Sequence, residues 1–279
     1  MTSLAVLVEG SSCAWGAYAQ RQSNVMKRLV RAVVACSNAH LSLSVDNRLL
    51  LYVYAAQLQR KVLYDSFRSE SPDSSECIVN AMRNALRDSA QSSNTHASPP
   101  LAATLALALC QLRKRSSTST AATTSSGEPA PATHAQKGRI LIISLTPDFG
   151  PEHSLLMNLF FAAHKNDIPI SIVSLSGKSA LLQQAADITN GVFVEAESVQ
   201  ELPMLLLTQC LAVCLPLRSG EAVDYRAACI CHQKLVHTGW VCSVCLSVLC
   251  QFQPICPSCN AVFKINKLPR RTKKRRTEA

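Results

Sequence analysis

The sequence has little charge and lacks the short motifs that mark most nucleotide-binding and acyl-transfer sites. Charged residues make up 16% of its 279 residues and hydrophobic residues 48%, so most of the chain should bury a core rather than stay disordered. It contains no glycine-rich phosphate loop of the GxxxxGKS or GxGxxG kind and no GxSxG nucleophile elbow. We therefore expect a folded protein that is not an enzyme.

The chain also lacks a secretory signal and a long apolar run. Residues Met1 to Val8 are apolar, but they have no basic start and are interrupted at Glu9. The most apolar stretches, Leu101 to Leu112 and Leu202 to Leu217, are too short or too interrupted for a bilayer, which needs about 20 residues. An odd number of cysteines, 13, argues against a disulfide framework. We expect a protein of the cytosol or nucleus with reduced cysteines and no membrane contact.

Cysteine, in contrast, is plentiful. Seven of the 13 cysteines lie in the stretch from Cys229 to Cys259. Two CxxC pairs, Cys242/Cys245 and Cys256/Cys259, supply four thiolates for a tetrahedral zinc ion. Four protein ligands close the coordination sphere, which favours a structural ion over a catalytic one. These four cysteines are the first-choice ligands.

The same stretch offers more ligands than one zinc ion needs. The additional ones are Cys229, Cys231, His232, His237 and Cys250. They could bind a second ion as in a cross-braced RING, but a RING would need another ligand beside Cys250, and none has the right spacing. Alternatively they replace one of the first four ligands, or they are thiols packed under the finger or in an interface.

The residues between the two CxxC pairs, LSVLCQFQPI, are mostly apolar and include no Arg or Lys. A DNA-reading finger presents a helix with polar side chains at fixed positions. This surface therefore favours a protein partner over phosphates.

The positive charge is concentrated at the end of the chain. The last sixteen residues hold eight Lys or Arg and one Glu, which is +7 of the net +10, so the other 263 residues carry only +3. Such a solvated basic run indicates a nuclear import signal or salt-sensitive contacts with nucleic acid.

The first two thirds of the chain alternate strand and helix patterns. Apolar runs predict strands over residues 4–10, 48–56, 139–146, 168–175 and 192–195, and helical periodicity predicts helices over 18–39, 76–88, 101–113, 152–165, 180–189 and 199–211. This alternation predicts an α/β domain with a mainly parallel sheet and helices on both faces. We expect this domain over residues 1–217 with a disordered, low-complexity insertion at 116–136, a zinc-binding module at 223–265 and a disordered basic tail at 266–279.

The loop after the first strand resembles the cation loop of the von Willebrand factor A fold. That loop normally reads DxSxS, and here Glu9, Ser11 and Cys13 occupy the three ligand positions. A thiol is a poor ligand for Mg²⁺, which demands oxygen atoms in octahedral geometry. Thr146 and Asp148 leave some oxygen ligands after the later strand, but we expect a loop that has kept its shape and lost its ion.

Several segments resemble one family. Val223 to Ile265 closely resembles the C-terminal zinc finger of the small von Willebrand A-type subunit of general transcription and DNA repair factor IIH, and LLQQAADITNGVFV and NLFFAAHK resemble the same family. The resemblance covers most of the chain except residues 66–75, 91–100 and 116–136. It implies a non-enzymatic core subunit in the nucleus. Such a subunit docks a sister zinc-bearing subunit and acts in transcription initiation by RNA polymerase II and in nucleotide excision repair.

Two other functions remain as alternatives at this point. The chain could bind nucleic acid by itself through its tail and finger, which would make binding strongly salt-dependent. The richness in ligands also suggests a RING-type ubiquitin ligase, which would require two zinc ions.

Overall fold

The apolar strand sequences form the centre of a layered domain. The computed structural model describes residues 2–55, 62–67, 74–91, 100–120, 137–146, 149, 152–211, 223–232, 234–245 and 247–263. The chain divides into two units, Met1–Tyr225 and Arg226–Ala279.

The first unit contains a six-stranded sheet of order β3-β2-β1-β4-β5-β6. Every neighbouring pair is parallel except β2 and β3. The strands are β1 Thr2–Glu9, β2 Arg48–Tyr54, β3 Val62–Asp65, β4 Lys137–Ser144, β5 Ile170–Ser174 and β6 Phe193–Glu195.

Helices cover both faces of this sheet. They are α1 Ser12–Ala19, α2 Val25–Leu43, α3 Ser74–Gln91, α4 Leu101–Thr120, α5 His153–Lys165, α6 Ala180–Ile188 and α7 Leu202–Leu205, which continues as a π-helical segment over Leu206–Leu211. Alternate residues of β1 face two cores: Leu4, Val6 and Val8 pack with α2, α3 and α7, whereas Ala5 and Leu7 pack with α4, α5 and α6. The predicted α/β fold class, a mainly parallel sheet with helices on both faces, is confirmed. Within the described residues, no helix combines the length and apolar character needed to cross a membrane.

The structure differs from the predicted elements in three places. The helix predicted over residues 18–39 is two helices, α1 and α2, separated by a polar turn in which Asn24 has a positive φ of 59°. The antiparallel edge strand β3 was not predicted. Helix α4 continues to Thr120, into the segment predicted as an insertion, because no glycine or proline follows Leu101 before Gly127. Residues 121–136 of that segment lie outside the described residues.

The second unit consists of short hairpins. Strands β7 Ala227–Ala228 and β8 Leu235–Val236 pair, as do β9 Trp240–Val241 and β10 Val248–Leu249, and Ile255 forms a single antiparallel bridge with Val262. The basic tail predicted at 266–279 lies outside the described residues.

The segment before the second unit is bonded to α6 of the first. Gln184 Nε2 donates a hydrogen bond of 2.5 Å to the carbonyl oxygen of Asp224, and the Tyr225 hydroxyl bonds to the Asp187 carboxylate. The division between units therefore falls three residues inside the predicted module boundary at Val223.

Candidate metal centre

Glu9 occupies the aspartate position of the predicted cation loop, and its side chain is fully buried. The Glu9 Oε2 atom accepts hydrogen bonds from the backbone N–H of Leu145 at 2.7 Å and of Thr146 at 2.9 Å. The Thr146 hydroxyl donates to Oε1, and the Ser144 hydroxyl lies 3.4 Å from Oε2. The carboxylate thus joins the carboxyl ends of β1 and β4 through donors of the protein itself.

Of the other residues predicted at the cation site, Thr146 bonds to Glu9 as described, whereas Ser11 and Cys13 are placed differently. The Ser11 hydroxyl caps α1 by accepting a hydrogen bond of 3.4 Å from the Ala14 N–H, and Cys13 is exposed. Asp148 lies outside the described residues. That this loop has lost its ion stays a prediction, but two of its oxygen groups, on Glu9 and Ser11, already accept protein hydrogen bonds.

The second unit repeats one turn three times. In each turn the N–H of a buried cysteine donates to the carbonyl five residues later: Cys229 to Lys234 at 2.9 Å, Cys242 to Ser247 at 3.0 Å and Cys256 to Ala261 at 2.9 Å. The flanking residues pair in one common register, Ala228 with Leu235, Val241 with Val248 and Ile255 with Val262. Three residues after each buried cysteine stands a second metal-binding side chain, namely His232, Cys245 and Cys259.

The second and third turns bring together the four first-choice ligands. The sulfur atoms of Cys242, Cys245, Cys256 and Cys259 lie within 4.8 Å of one another. The Cys242–Cys259 and Cys245–Cys256 sulfur distances are both 3.6 Å. Zinc–sulfur bonds of about 2.3 Å in a tetrahedron separate the sulfurs by about 3.8 Å. The cluster therefore has the donor atoms and the size to hold a tetrahedral metal ion.

The first turn brings together the additional ligands. The metal-binding atoms of Cys229, Cys231, His232 and Cys250 also lie within 4.8 Å of one another. Cys250 Sγ is 3.2 Å from Cys231 Sγ and 3.2 Å from His232 Nδ1. His237 instead lies beside Arg226, whose guanidinium is 2.8 Å from the His237 Nε2 atom.

Hydrogen bonds to sulfur lower the pKa of one thiol in each cluster, while another thiol of the same cluster has a raised pKa. The hydroxyl and backbone N–H of Ser247 lower the pKa of Cys245 to about 6. The backbone N–H of Cys250 lowers the pKa of Cys231 below its ordinary value. The hydrogen bond with Cys231 raises the pKa of Cys250 to about 11. The Ala261 N–H lowers the pKa of Cys259, but burial and the neighbouring thiols raise it to about 12. Because the thiolate is the form that binds metal, Cys245 and Cys231 are the thiols of each cluster that these bonds prepare for an ion.

The sequence contains a signal for the second cluster that a search for CxxC pairs does not detect. Cys229 and His232 form a CxxH pair with the same spacing as the two CxxC pairs. Cys250 has no second ligand next to it in the sequence, because the other three ligands of this cluster all come from the turn at Cys229. Only the folded chain shows that Cys250 meets them.

The module also exposes large apolar side chains. Trp240 packs edge-on against Phe252 with ring centroids 5.3 Å apart, and Phe252 lies 6.3 Å from Phe263. Trp240 and Val244 are nevertheless 57% and 69% exposed. Contiguous exposed apolar patches on a protein mark interaction surfaces.

Comparison with known proteins links this arrangement to one family. Residues 1–260 match the family model described as transcription factor Tfb4. The chain is 35% identical over 140 residues to general transcription and DNA repair factor IIH subunit tfb4 of Schizosaccharomyces pombe, an alignment that covers 48% of this chain and 47% of that protein. It is 36% identical over 135 residues to general transcription factor IIH subunit 3 of Dictyostelium discoideum, covering 46% of this chain and 36% of that protein.

In both alignments the chain spans less than half the length of the curated relative. Among solved structures, the TFIIH p34 N-terminal domain is similar, with a TM-score of 0.56 and 21% identity. That likeness covers 74% of this chain and 96% of the domain, and at this identity it concerns the fold alone.

Proposed function

The chain belongs to the transcription factor Tfb4 family, and from this membership we propose that it is a non-catalytic structural subunit of the core of general transcription and DNA repair factor IIH. In this role it acts in transcription initiation by RNA polymerase II and in nucleotide excision repair. The match of residues 1–260 to the family model is the observation that carries the proposal. The names of the curated relatives support it.

The loops of the sheet support a structural role. In parallel sheets, ligands bind at the carboxyl ends of the strands. Here the Glu9 carboxylate accepts from backbone donors, and the Ser174 hydroxyl donates to the carbonyl oxygen of Gly177 at 2.6 Å. Polar groups that are already bonded within the chain have little capacity left for a substrate.

Zinc is the ion proposed for Cys242, Cys245, Cys256 and Cys259. Four thiolates select soft or borderline ions over Mg²⁺ or Ca²⁺, and a closed set of four leaves no position for a substrate. The zinc stabilises a unit whose own core is small. In zinc-finger peptides the metal contributes about 10–16 kcal/mol of folding free energy.

Docking to a sister subunit with its own zinc-bearing part is the activity proposed for the first unit. Helix α5, which contains the family-like NLFFAAHK segment, exposes Leu155 at 60% and Phe161 at 55%. Apolar side chains on a helix that already packs its other face into a core need a partner to leave water. We assign the docking face to the exposed side of α5.

The nucleus is the proposed location. The eight Lys and Arg of the last sixteen residues supply an import signal or an added contact with DNA. DNA contact is otherwise indirect, through the other subunits.

The proposal is tested by purifying the tagged full chain from nuclear extract. Quantitative mass spectrometry then measures the amount of each factor IIH subunit that is recovered with it. Wild-type protein should recover the core subunits in near-equal amounts. Phe161→Glu should reduce recovery of the zinc-bearing sister subunit at least tenfold, since buried aromatic anchors dominate interface energies. Val45→Glu introduces the same charge at an apolar residue that is 95% exposed and should leave recovery unchanged.

Isolation of wild-type chain free of factor IIH subunits would contradict the proposal. If Phe161→Glu recovers as much of the sister subunit as wild type does, the docking face does not lie on α5. A chain that binds DNA without these subunits, and loses that binding when residues 267–276 are deleted, would support the nucleic-acid-binding alternative instead.

A further inference from the structure

The hairpin β7–β8 is held together by very little apart from its ligands. Among its described side chains from Arg226 to Val236, only Cys229 is buried. The two strands have two residues each, and an isolated two-stranded hairpin is marginally stable in water. Something other than an apolar core must fix this part of the chain.

The three-fold repetition of the turn indicates what that is. The turns at Cys242 and Cys256 each present two ligands, and those four form one complete tetrahedral set. The turn at Cys229 has the same hydrogen bond and the same register, and it presents Cys229 and His232 in the equivalent positions. It therefore needs two further ligands to complete a set of its own.

The two further ligands are Cys231 and Cys250. Cys231 lies within the first turn itself. The Ile230 N–H donates a hydrogen bond of 2.8 Å to the carbonyl oxygen of Val248 in β10, which places the first turn against the strand that ends just before Cys250. As a result Cys250 Sγ lies 3.2 Å from both Cys231 Sγ and His232 Nδ1.

We infer that the second unit binds two metal ions, and that the second is a zinc ion held by Cys229, Cys231, the Nδ1 atom of His232 and Cys250. Three thiolates and one imidazole form a Cys₃His set, which is among the common structural zinc sites. The ion fixes β7–β8 against β10 and takes the place of the core that this hairpin lacks. This inference concerns metal content and is independent of the proposed docking function.

The two ions interlock along the chain. In sequence order the ligands belong to the second site at Cys229–His232, the first site at Cys242–Cys245, the second site again at Cys250, and the first site again at Cys256–Cys259. Each ion therefore closes a loop that contains ligands of the other. Loss of either ion should loosen the chain segment that presents ligands to the other.

Metal content of the full-length chain, measured by native mass spectrometry and elemental analysis, tests the inference. Wild-type protein should contain two zinc ions per chain, and Cys250→Ser should contain one or fewer. His237→Ala alters a histidine of the same hairpin that lies outside both clusters and should retain two ions. One ion in the wild-type chain, or two in Cys250→Ser, would overturn the inference.

Cobalt substitution separates the two sites even if Cys250→Ser fails to fold. The absorption bands of tetrahedral Co²⁺ depend on whether the ligands are three sulfurs and one nitrogen or four sulfurs. Wild-type protein should show the sum of both ligand sets. His232→Cys should retain two ions and shift half of the spectrum toward the four-sulfur form, whereas His237→Cys should leave the spectrum unchanged. A spectrum insensitive to His232→Cys would remove His232 from the site.

The outcome also bears separately on the proposed function. Protein that recovers factor IIH subunits but contains a single ion would refute the second site and leave the proposed function intact. Protein that contains two ions but recovers none of these subunits would support the second site and refute the proposed function.

Discussion

At the scale of single residues, Glu9 is the clearest departure from a cation-binding A-type domain. One methylene longer than aspartate, its side chain spans from β1 to the backbone N–H groups of Leu145 and Thr146 beyond β4. It thereby satisfies donors and hydroxyls at the carboxyl edge of the sheet. The sequence indicated a lost ion from the thiol at Cys13, but it could not indicate that Glu9 itself bonds these groups, because that depends on the positions of two strands far apart in sequence.

Glu9→Gln should lower the free energy of unfolding of the first unit by about 2–3 kcal/mol, because a buried acceptor with charge-assisted bonds becomes a neutral group with one acceptor oxygen. Chemical denaturation followed by circular dichroism measures the change. Glu197→Gln, at an exposed carboxylate, should change it by less than about 0.5 kcal/mol. Equal stability of Glu9→Gln and wild type would contradict this role. A rise in melting temperature of the wild type on adding Mg²⁺ would show that the loop binds a cation.

Metal ligands differ in how readily the sequence reveals them. The CxxC pairs identified Cys242, Cys245, Cys256 and Cys259 because each pair is local and self-evident. His232 and Cys250 appear in the sequence only as possible second or alternative ligands, together with Cys229 and Cys231. No spacing pattern pairs Cys250 with the others, because a neighbouring strand brings it in as a single residue. The three-plus-one distribution also differs from the paired ligands on which the RING ligase hypothesis depends.

At the scale of elements, the sequence predicts the central strands and the edge strand β6, but not the other edge strand, β3. Strands β1, β4 and β5 are buried on both faces, so they appear in the sequence as continuous apolar runs. The edge strand β3 has four residues, three of them only partly buried, and gives no comparable run. The break between α1 and α2 is not evident from the sequence, because the apolar spacing that predicts the helix (Val25, Leu29 and Val33) lies wholly within α2. The turn before it depends on the left-handed conformation of Asn24.

The connection from α6 to β6 depends on Gly191, and Gly191→Ala should lower the free energy of unfolding by at least about 3 kcal/mol. A Cβ atom at this position would lie 1.9 Å from the carbonyl oxygen of Ile170 in β5, so backbone must move. Thermal or chemical unfolding measures the loss.

Gly16→Ala is the matched control for that substitution. Gly16 is an exposed residue of α1, and a Cβ atom there meets nothing within 4 Å. The same chemical change should stabilise the protein by about 0.5–1 kcal/mol, because alanine has the higher helix propensity. Equal effects of the two substitutions would show that the close approach at Gly191 does not exist in solution.

At the scale of the whole molecule, the two units depend on different sources of stability. The first has two apolar cores on either side of its sheet, whereas the second has short hairpins and two ligand clusters. A small unit without a large core requires metal or disulfides to stay folded.

Removal of metal by a strong zinc chelator should therefore unfold the second unit and leave the first intact. In hydrogen exchange, the N–H groups of Cys229, Cys242 and Cys256 should lose protection, while those of β1 and β4 keep theirs. The melting temperature of the first unit should change by less than about 2 °C, because neither ligand cluster includes a residue of the first unit. Continued protection in residues 226–263 after complete metal removal would contradict a structural role for the metal.

The outermost strands of the sheet restrict how other chains can join it. Strand β6 has three residues, and β3 has four and an irregular register with β2. Exposed strand edges of ordinary length act as templates for further strands, which leads to sheet extension and to aggregation of unassembled copies. With edges this short, a newly made chain has little backbone to offer to a strand of a second copy. Crowding many copies together should therefore not extend the sheet of one copy into the next.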